Sequence, residues 1–361
     1  MEKLKFCAKC TMDGSARELV IDSEGVCNFC HQAQKSLKEI ELEKPNLSKW
    51  VRKVADSSVI RFEPLTFKKY DCLIGLSGGV DSSTLLHYAV NMGLSPLCFT
   101  MDNGYNDPRA DENILRLVET LKVPLYRYVL NLNRYEEVRA AYLKAGVINV
   151  EAVYDNLLVG ASYQMAEEYG IKWILSGGNV ATESVMPPSW SYPSGDLVNM
   201  KDIYRKMTGK KLKSDKDFPL FGTWKFNWGK WVKGIKTFYL LDYLDYNRKE
   251  SEQLLIETYG FKSTGEKHEE NRFTKWYQSF YLYTKFNIDK RKAHYSSLIN
   301  AGQMTRSEAM ELLSEPPIYE RLNIDEVQVM KYKKRRHEDF KIDWVFPLIS
   351  KAIRFLRKWR F

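Results

Sequence analysis

The chain has 361 residues, 44% hydrophobic and 28% charged, so it can bury a sizeable core and is too apolar to be disordered. No stretch approaches the roughly 20 apolar residues that cross a bilayer, and residues 1–7 lack the apolar core of a secretory signal, so a cytoplasmic protein is expected. The formal charge of +9 favours an anionic partner, with nucleic acid, a sugar nucleotide, an acidic subunit or a membrane surface all compatible.

Four of the six cysteines open the chain as Cys7-x2-Cys10 and Cys27-x2-Cys30, sixteen residues apart. Two such knuckles present four thiolates to a tetrahedral ion, which predicts structural zinc on Cys7, Cys10, Cys27 and Cys30. Four thiolates close the coordination sphere and leave no position for a catalytic water. A polar, helix-like connector follows over 32–62, interrupted at Pro45 and Asn46.

From Tyr70 strand and helix patterns alternate. Strands are predicted at 71–76, 96–101, 124–130 and 172–175, with a further one over 235–243. Helices are predicted at 82–92, 109–121, 135–145, 155–169, 247–258, 272–286 and 305–313. The expected fold is therefore α/β, a parallel sheet with helices on both faces, flanked by the zinc-knuckle module and a helical C-terminal region. The loops at 77–83, 102–104 and 176–179 all follow strands, where ligands of such sheets sit.

Ser77-Gly78-Gly79-Val80-Asp81-Ser82-Ser83 lies between a strand and a helix. Its glycines let backbone N–H groups approach phosphate, and the helix adds its own free N–H groups and dipole. Ser77, Ser82 and Ser83 add hydroxyls, and Asp81 is placed to hold magnesium or to orient the loop. These residues resemble the SGGxDS signature of the ATP-pyrophosphatase (PP-loop) family, which includes asparagine, GMP and NAD synthetases and tRNA thiolases. No Gly-Lys-Ser/Thr follows the glycines, so this is not a Walker loop. The resemblance implies cleavage of ATP to pyrophosphate with AMP left on a substrate oxygen. It also implies Asp102, Asn103 and Gly104 near the adenosine, and Ser176, Gly177, Gly178 and Asn179 across the site.

More of the chain resembles the N-acetyl sugar amidotransferases of lipopolysaccharide and flagellin-sugar synthesis. The resemblance rests on residues 6–13, 25–30, 265–275, 285–299 and 301–309, with Glu266 standing where a second glycine is expected. It implies adenylation of an acetamido oxygen followed by attack of ammonia, to give an acetamidino group. The substrate expected is an N-acetylated, UDP-linked sugar, with ATP, Mg2+ and Zn2+ as cofactors. Lys267, His268 and Arg272, with Asp81, are the candidate catalytic residues, with Arg291 and His294 behind them and Ser297 read as structural. Cys72 and Cys98 fall inside strands, and no cysteine stands at a mature N-terminus. This chain is therefore not expected to hydrolyse glutamine; the resemblance implies a separate glutaminase with an ammonia-channelling, cyclase-like subunit as partner, and nucleic acid is not expected. A tRNA thiolase is the alternative, weakened by the absence of any cysteine beyond Cys98.

The implied organisation is a zinc module (1–35), a connector (36–69), the ATP domain (70–245), a helical substrate or partner region (246–330) and a basic tail (331–361). The Trp- and Lys-rich stretch 224–231 is suited to docking a partner or closing over the sugar nucleotide. Residues 349–361 interleave apolar and basic positions, as a helix lying on an anionic membrane would.

Overall fold

The computed structural model describes residues 6–57, 59–62, 65–68, 70–343 and 345. Cys27 caps α1 (Asn28–Glu43), so the second knuckle is built onto a helix start. Pro45 lies in a single 3-10 turn (Lys44–Asn46) that leads into α2 (Leu47–Asp56), as the interruption in the sequence implied. An antiparallel hairpin, β1 (Val59–Phe62) and β2 (Leu65–Lys68), ends the connector and was not anticipated.

The central unit then runs β3 (Cys72–Gly75), α3 (Val80–Asn91), β4 (Pro96–Asp102), α4 (Pro108–Leu121), β5 (Leu125–Val129), α5 (Leu132–Ala145), α6 (Ala152–Glu168), β6 (Trp173–Leu175) and α7 (Val180–Glu183). The strands form a parallel sheet in the order β5-β4-β3-β6-β7, with β7 at Lys236–Phe238. The chain builds outward from β3 to β5 and then returns to the other side at β6. The carboxyl ends of β3 and β6 therefore flank the crevice where such sheets bind ligands.

Side chains alternate across the sheet as the pleat requires. Cys72, Ile74 and Cys98 join the core under α2, α3 and α4, while Leu73, Leu97, Phe99 and Met101 join the larger core shared with α5, α6 and the C-terminal helices. That second core takes in the cysteine module and Phe273, Trp276 and Tyr281, so both ends of the chain fold onto one sheet face.

Beyond β6 come α8 (Leu197–Thr208), α9 (Thr223–Asn227), α10 (Arg248–Tyr259), α11 (Arg272–Trp276), α12 (Arg291–Asn300), α13 (Arg306–Leu312) and α14 (Glu326–Lys331). The strand expected to reach 243 stops at Phe238. Leu240 and Leu241 are both buried, which a half-covered strand cannot arrange, and the chain coils into a 3-10 turn. The helix expected over 272–286 is α-helical only to Trp276 and continues as a π-helix. There the Tyr277 and Tyr281 hydroxyls reach the Ile148 and Val147 carbonyls at 3.0 and 2.9 Å.

The first part of the expected tail is fastened to the body. Arg335 donates to the Ala145 carbonyl at 3.0 Å. Buried His337 donates through Nδ1 to Asn199 at 2.8 Å, while its Nε2 accepts from the Asn149 amide. Residues 349–361 lie outside the described residues. Among the described residues no helix is long and apolar enough to cross a membrane.

Candidate active site

The loop after β3 is shaped by its glycines. Gly78 has φ +77°, and a Cβ there would fall 2.3 Å from the Ala110 carbonyl at the start of α4. Asn113 donates to the Gly78 carbonyl at 3.2 Å, tying the loop to α4 from behind. Gly79 caps α3, and a Cβ there would sit 3.1 Å from the Glu270 carboxylate. Within the loop the Ser77 amide donates to Ser82 Oγ at 3.2 Å and the Gly79 amide to Ser77 Oγ at 3.3 Å. Ser77, Gly79, Asp81 and Ser82 line a cavity of about 560 Å3. Phe99, Thr100 and Met101 of β4 and Ser176, Gly177 and Gly178 after β6 also line it, so three strand ends converge on it.

Beside the loop, Lys267 Nζ contacts Asp81 Oδ2 at 2.6 Å, Thr182 Oγ1 at 2.6 Å and Glu183 Oε1 at 2.9 Å. Tyr246 donates its hydroxyl to the other Asp81 oxygen. Burial opposes both charges, but each stabilises the other. Asp81 is held below the ordinary carboxylate range by the Lys267 charge, and Lys267 is held above the ordinary lysine value by Asp81 and Glu183. Burial, with the charge on Asp81 adding to it, pushes Glu270 up. His268 sits at φ +70°, a conformation rare outside glycine, with its ring edge-on to His294 at 5.3 Å. Burial and then the nearby cations, Lys267 and Lys290 among them, hold both rings well below the usual histidine value, so both are neutral at pH 7.

The far end of the cavity is polar as well. Glu151, 8% exposed, caps the start of α6; its Oε2 accepts from Thr274 Oγ1 at 2.7 Å, and its Oε1 is buried without a partner among the described residues. Burial and the neighbouring Asp155 push Glu151 up to about 8, while burial pushes Asp155 up to about 6. Lys290 lies at the same end, its pKa pulled down by burial against the charges of Asp155, Glu151 and Glu183.

Several residues singled out from the sequence lie elsewhere. Arg272 does not line the cavity; its guanidinium pairs with Glu320 at 2.8 Å on the surface. Arg291 is taken up by Asp289 and by the Leu312 and Glu315 carbonyls. Asp102 pairs with Arg127 and the Gly104 amide, and Asn103 is buried with Asn271; the cavity is lined by Phe99, Thr100 and Met101 instead of 102–104. Gly78, Ser83 and Asn179 support the site from behind, Asn179 by capping α7. Ser297 is structural, accepting from the Val185 amide and donating to the Ala293 carbonyl. The glycine missing at Glu266 is not needed there, because Gly265 carries the turn with φ +104°.

Sequence reasoning missed Glu151, Glu183, Tyr246, Arg248, Glu270 and Lys290, all but Tyr246 at the cavity wall. Glu270 and Lys290 fall inside the resemblance blocks, which was the one signal for them. Cys98 points into the core beneath α3 and α4, and burial pushes its thiol up to about 12. Neither it nor Cys72 lines the cavity.

The four N-terminal thiols are fully buried, their sulfurs within 4.8 Å of one another. Cys7 to Cys30 is 3.9 Å and Cys10 to Cys27 is 3.7 Å. A tetrahedron with Zn–S of about 2.3 Å has edges of about 3.8 Å, so the cluster fits such an ion. Backbone amides of Cys10 and Cys27 point at Cys7 Sγ, and Asn300 Nδ2 at Cys30 Sγ. The module also grips α12 through Thr11 to Ser296 and Asp13 to Lys292.

A parallel sheet with an SGGxDS loop at its switch point, opening on a cavity, defines an α/β fold of the PP-loop type. Residues 270–346 match the family model described as LPS biosynthesis protein WbpG-like, C-terminal domain. Among curated proteins none matches in sequence. The fold is similar to an NH3-dependent NAD synthetase from Campylobacter jejuni in complex with the nitrate ion, at 14% identity and TM-score 0.29, over 40% of this chain and 58% of that one. It is also similar to an NMN synthetase from Francisella tularensis, at 14% identity and TM-score 0.32, over 63% of this chain and 98% of that one.

Proposed function

We propose that the chain is an ATP-dependent amidotransferase that converts an acetamido group on an N-acetylated, UDP-linked sugar into an acetamidino group. The observation that carries this is the phosphate loop with its Asp81–Lys267 pair opening on the same cavity as Glu151, whose second oxygen lacks a partner. The WbpG-like C-terminal domain supports the choice of a surface-sugar substrate.

In this reading the acetamido oxygen attacks the α-phosphorus of ATP, and pyrophosphate leaves. Ammonia then adds to the imidate carbon, and AMP departs with the original oxygen. The loop amides of 77–79 and the start of α3 receive the pyrophosphate, and Lys267 neutralises the charge that develops there. Lys267 is ready for this because Asp81 and Glu183 keep it protonated. Mg2+ would take Asp81 with Glu183 or Glu270, since that ion uses one or two carboxylates alongside phosphate oxygens. Neutral His268 can donate or accept one hydrogen bond at the sugar without adding charge. Glu151 would turn its second oxygen toward the acetamido group, donating while it holds its proton and accepting an N–H once it is ionised. Zinc on the four cysteines would be structural.

Among the described residues no thiol lines the cavity, which supports leaving glutamine hydrolysis to a separate glutaminase; the ammonia-channelling subunit is proposed from the resemblance. The test is incubation with ATP, magnesium, ammonium and a panel of acetamido sugars, free and UDP-linked, with mass analysis of both products. AMP together with a sugar that has exchanged O for NH is the expected result. AMP formation that requires tRNA, with every sugar unchanged, would sink the proposal.

A further inference from the structure

Residues 224–236 contain three Trp and four Lys and no Asp or Glu. They form α9 and the π-wound turn Trp228–Val232, then run into β7. One side of this segment is packed. The Phe226 ring lies 6.2 Å from Phe221 and 6.4 Å from Tyr163, and a Cβ on Gly229 would fall 2.5 Å from the Tyr163 ring. The other side carries Trp224, Trp228 and Trp231, which are 89%, 52% and 69% exposed, beside Val232 at 60%.

Single exposed apolar residues are ordinary, but three indoles from one short segment are not. The charges around them decide what covers them. Lys230 lies over Trp231 at 4.9 Å and Lys233 over Trp228 at 5.8 Å. Lys172 donates to the Lys233 carbonyl, which adds a further ammonium next to the segment. Protein interfaces enrich Trp but are depleted of Lys. An anionic lipid surface enriches both, with indoles at the headgroup level and lysines on the phosphates.

We infer that this surface attaches the enzyme peripherally to an anionic membrane, the three indoles entering the headgroup layer and Lys172, Lys230 and Lys233 meeting lipid phosphates. Tyr163, which anchors the segment, also lines the cavity, as does Thr237 of β7, so attachment holds that wall of the cavity against the bilayer. The inference does not depend on the reaction proposed above.

The test is co-sedimentation of the full chain with phosphatidylcholine vesicles, with and without about 30% phosphatidylglycerol, read also by tryptophan emission. Wild type should bind the anionic vesicles with a blue shift, and release as salt rises from about 50 to 300 mM. Both W224S/W228S/W231S and K230E/K233E should lose roughly tenfold or more in partitioning. An unchanged thermal midpoint in each variant confirms that the loss is not unfolding. Wild type remaining in the supernatant, or the triple variant sedimenting like wild type, would overturn the inference. So would a wild-type dimer that ignores vesicles and that the triple variant converts to monomer, since the face would then belong to a second copy.

Discussion

Glu151 couples its position in the cavity to stability in a way that has a definite sign. Its native value is about 8 against an ordinary 4.5, so between those values the folded chain keeps a proton that the unfolded chain releases. Stability attributable to this group therefore falls as pH rises from 4.5 to 8 and is level above that. Replacing Glu151 by Gln removes the penalty. The unfolding free energy of Glu151→Gln relative to wild type, read by urea denaturation, should rise across that window by an amount on the order of 2–4 kcal/mol at pH 8. A difference independent of pH would show that Glu151 is ionised throughout. At the other end of the cavity, Lys267→Met leaves Asp81 with Tyr246 but without its cation. Breaking a buried pair on one side should cost about 3 kcal/mol. Urea midpoints should show Lys267→Met/Asp81→Asn to be more stable than Lys267→Met alone, because the double variant buries no unpaired charge.

Among the elements, the phosphate loop depends on the fit between Gly78 and α4. Gly78→Ala adds both left-handed strain and a clash with backbone that cannot step aside. It should destabilise by roughly 3 kcal/mol or more. Gly93 has a similar φ, +79°, with nothing within 4 Å of its would-be Cβ. Gly93→Ala should therefore cost only the strain, about 1 kcal/mol, and equal losses for the two variants in chemical denaturation would refute the close-approach account. The helix after the loop was legible in the sequence because Leu85, Leu86 and Ala89 recur on one side and are all buried. The π-helix after Trp276 was not, since the apolar spacing of 272–286 suits either winding, and contacts to Val147 and Ile148 select the wider one.

At the scale of the whole molecule the cysteine module reaches the site through packing. It holds α12 by Thr11, Asp13 and Asn300, and α12 supports α7 through Ser297 and the Val185 amide. α7 in turn carries Thr182 and Glu183 to Lys267. Metal analysis should find a single zinc per chain. Cys27→Ser, or a strong chelator, should remove it and lower the melting temperature by on the order of 10 °C. If the cluster were an independent appendage, the main melting transition would not move when zinc leaves, and calorimetry distinguishes the two.

Local signals in the sequence carried the sheet, the phosphate loop and the cysteine ligands. Each is written over a few neighbouring residues: largely apolar runs at 72–74 and 96–101 that are buried throughout, glycines before a helix start, cysteines with two residues between them. The pairs that complete the cavity are 186 residues apart for Lys267 and Asp81, and 123 for Thr274 and Glu151. No short pattern encodes such a distance, so Arg272, which shares its motif with Lys267, stood beside it as a candidate, whereas folding turned it toward Glu320. Which cations face the crevice, and which carboxylates oppose them, was decided by how the C-terminal helices close over the carboxyl ends of β3, β4 and β6. Those helices are held there by the buried apolar contacts of Phe273, Trp276 and Tyr281, and these exist only in the assembled core.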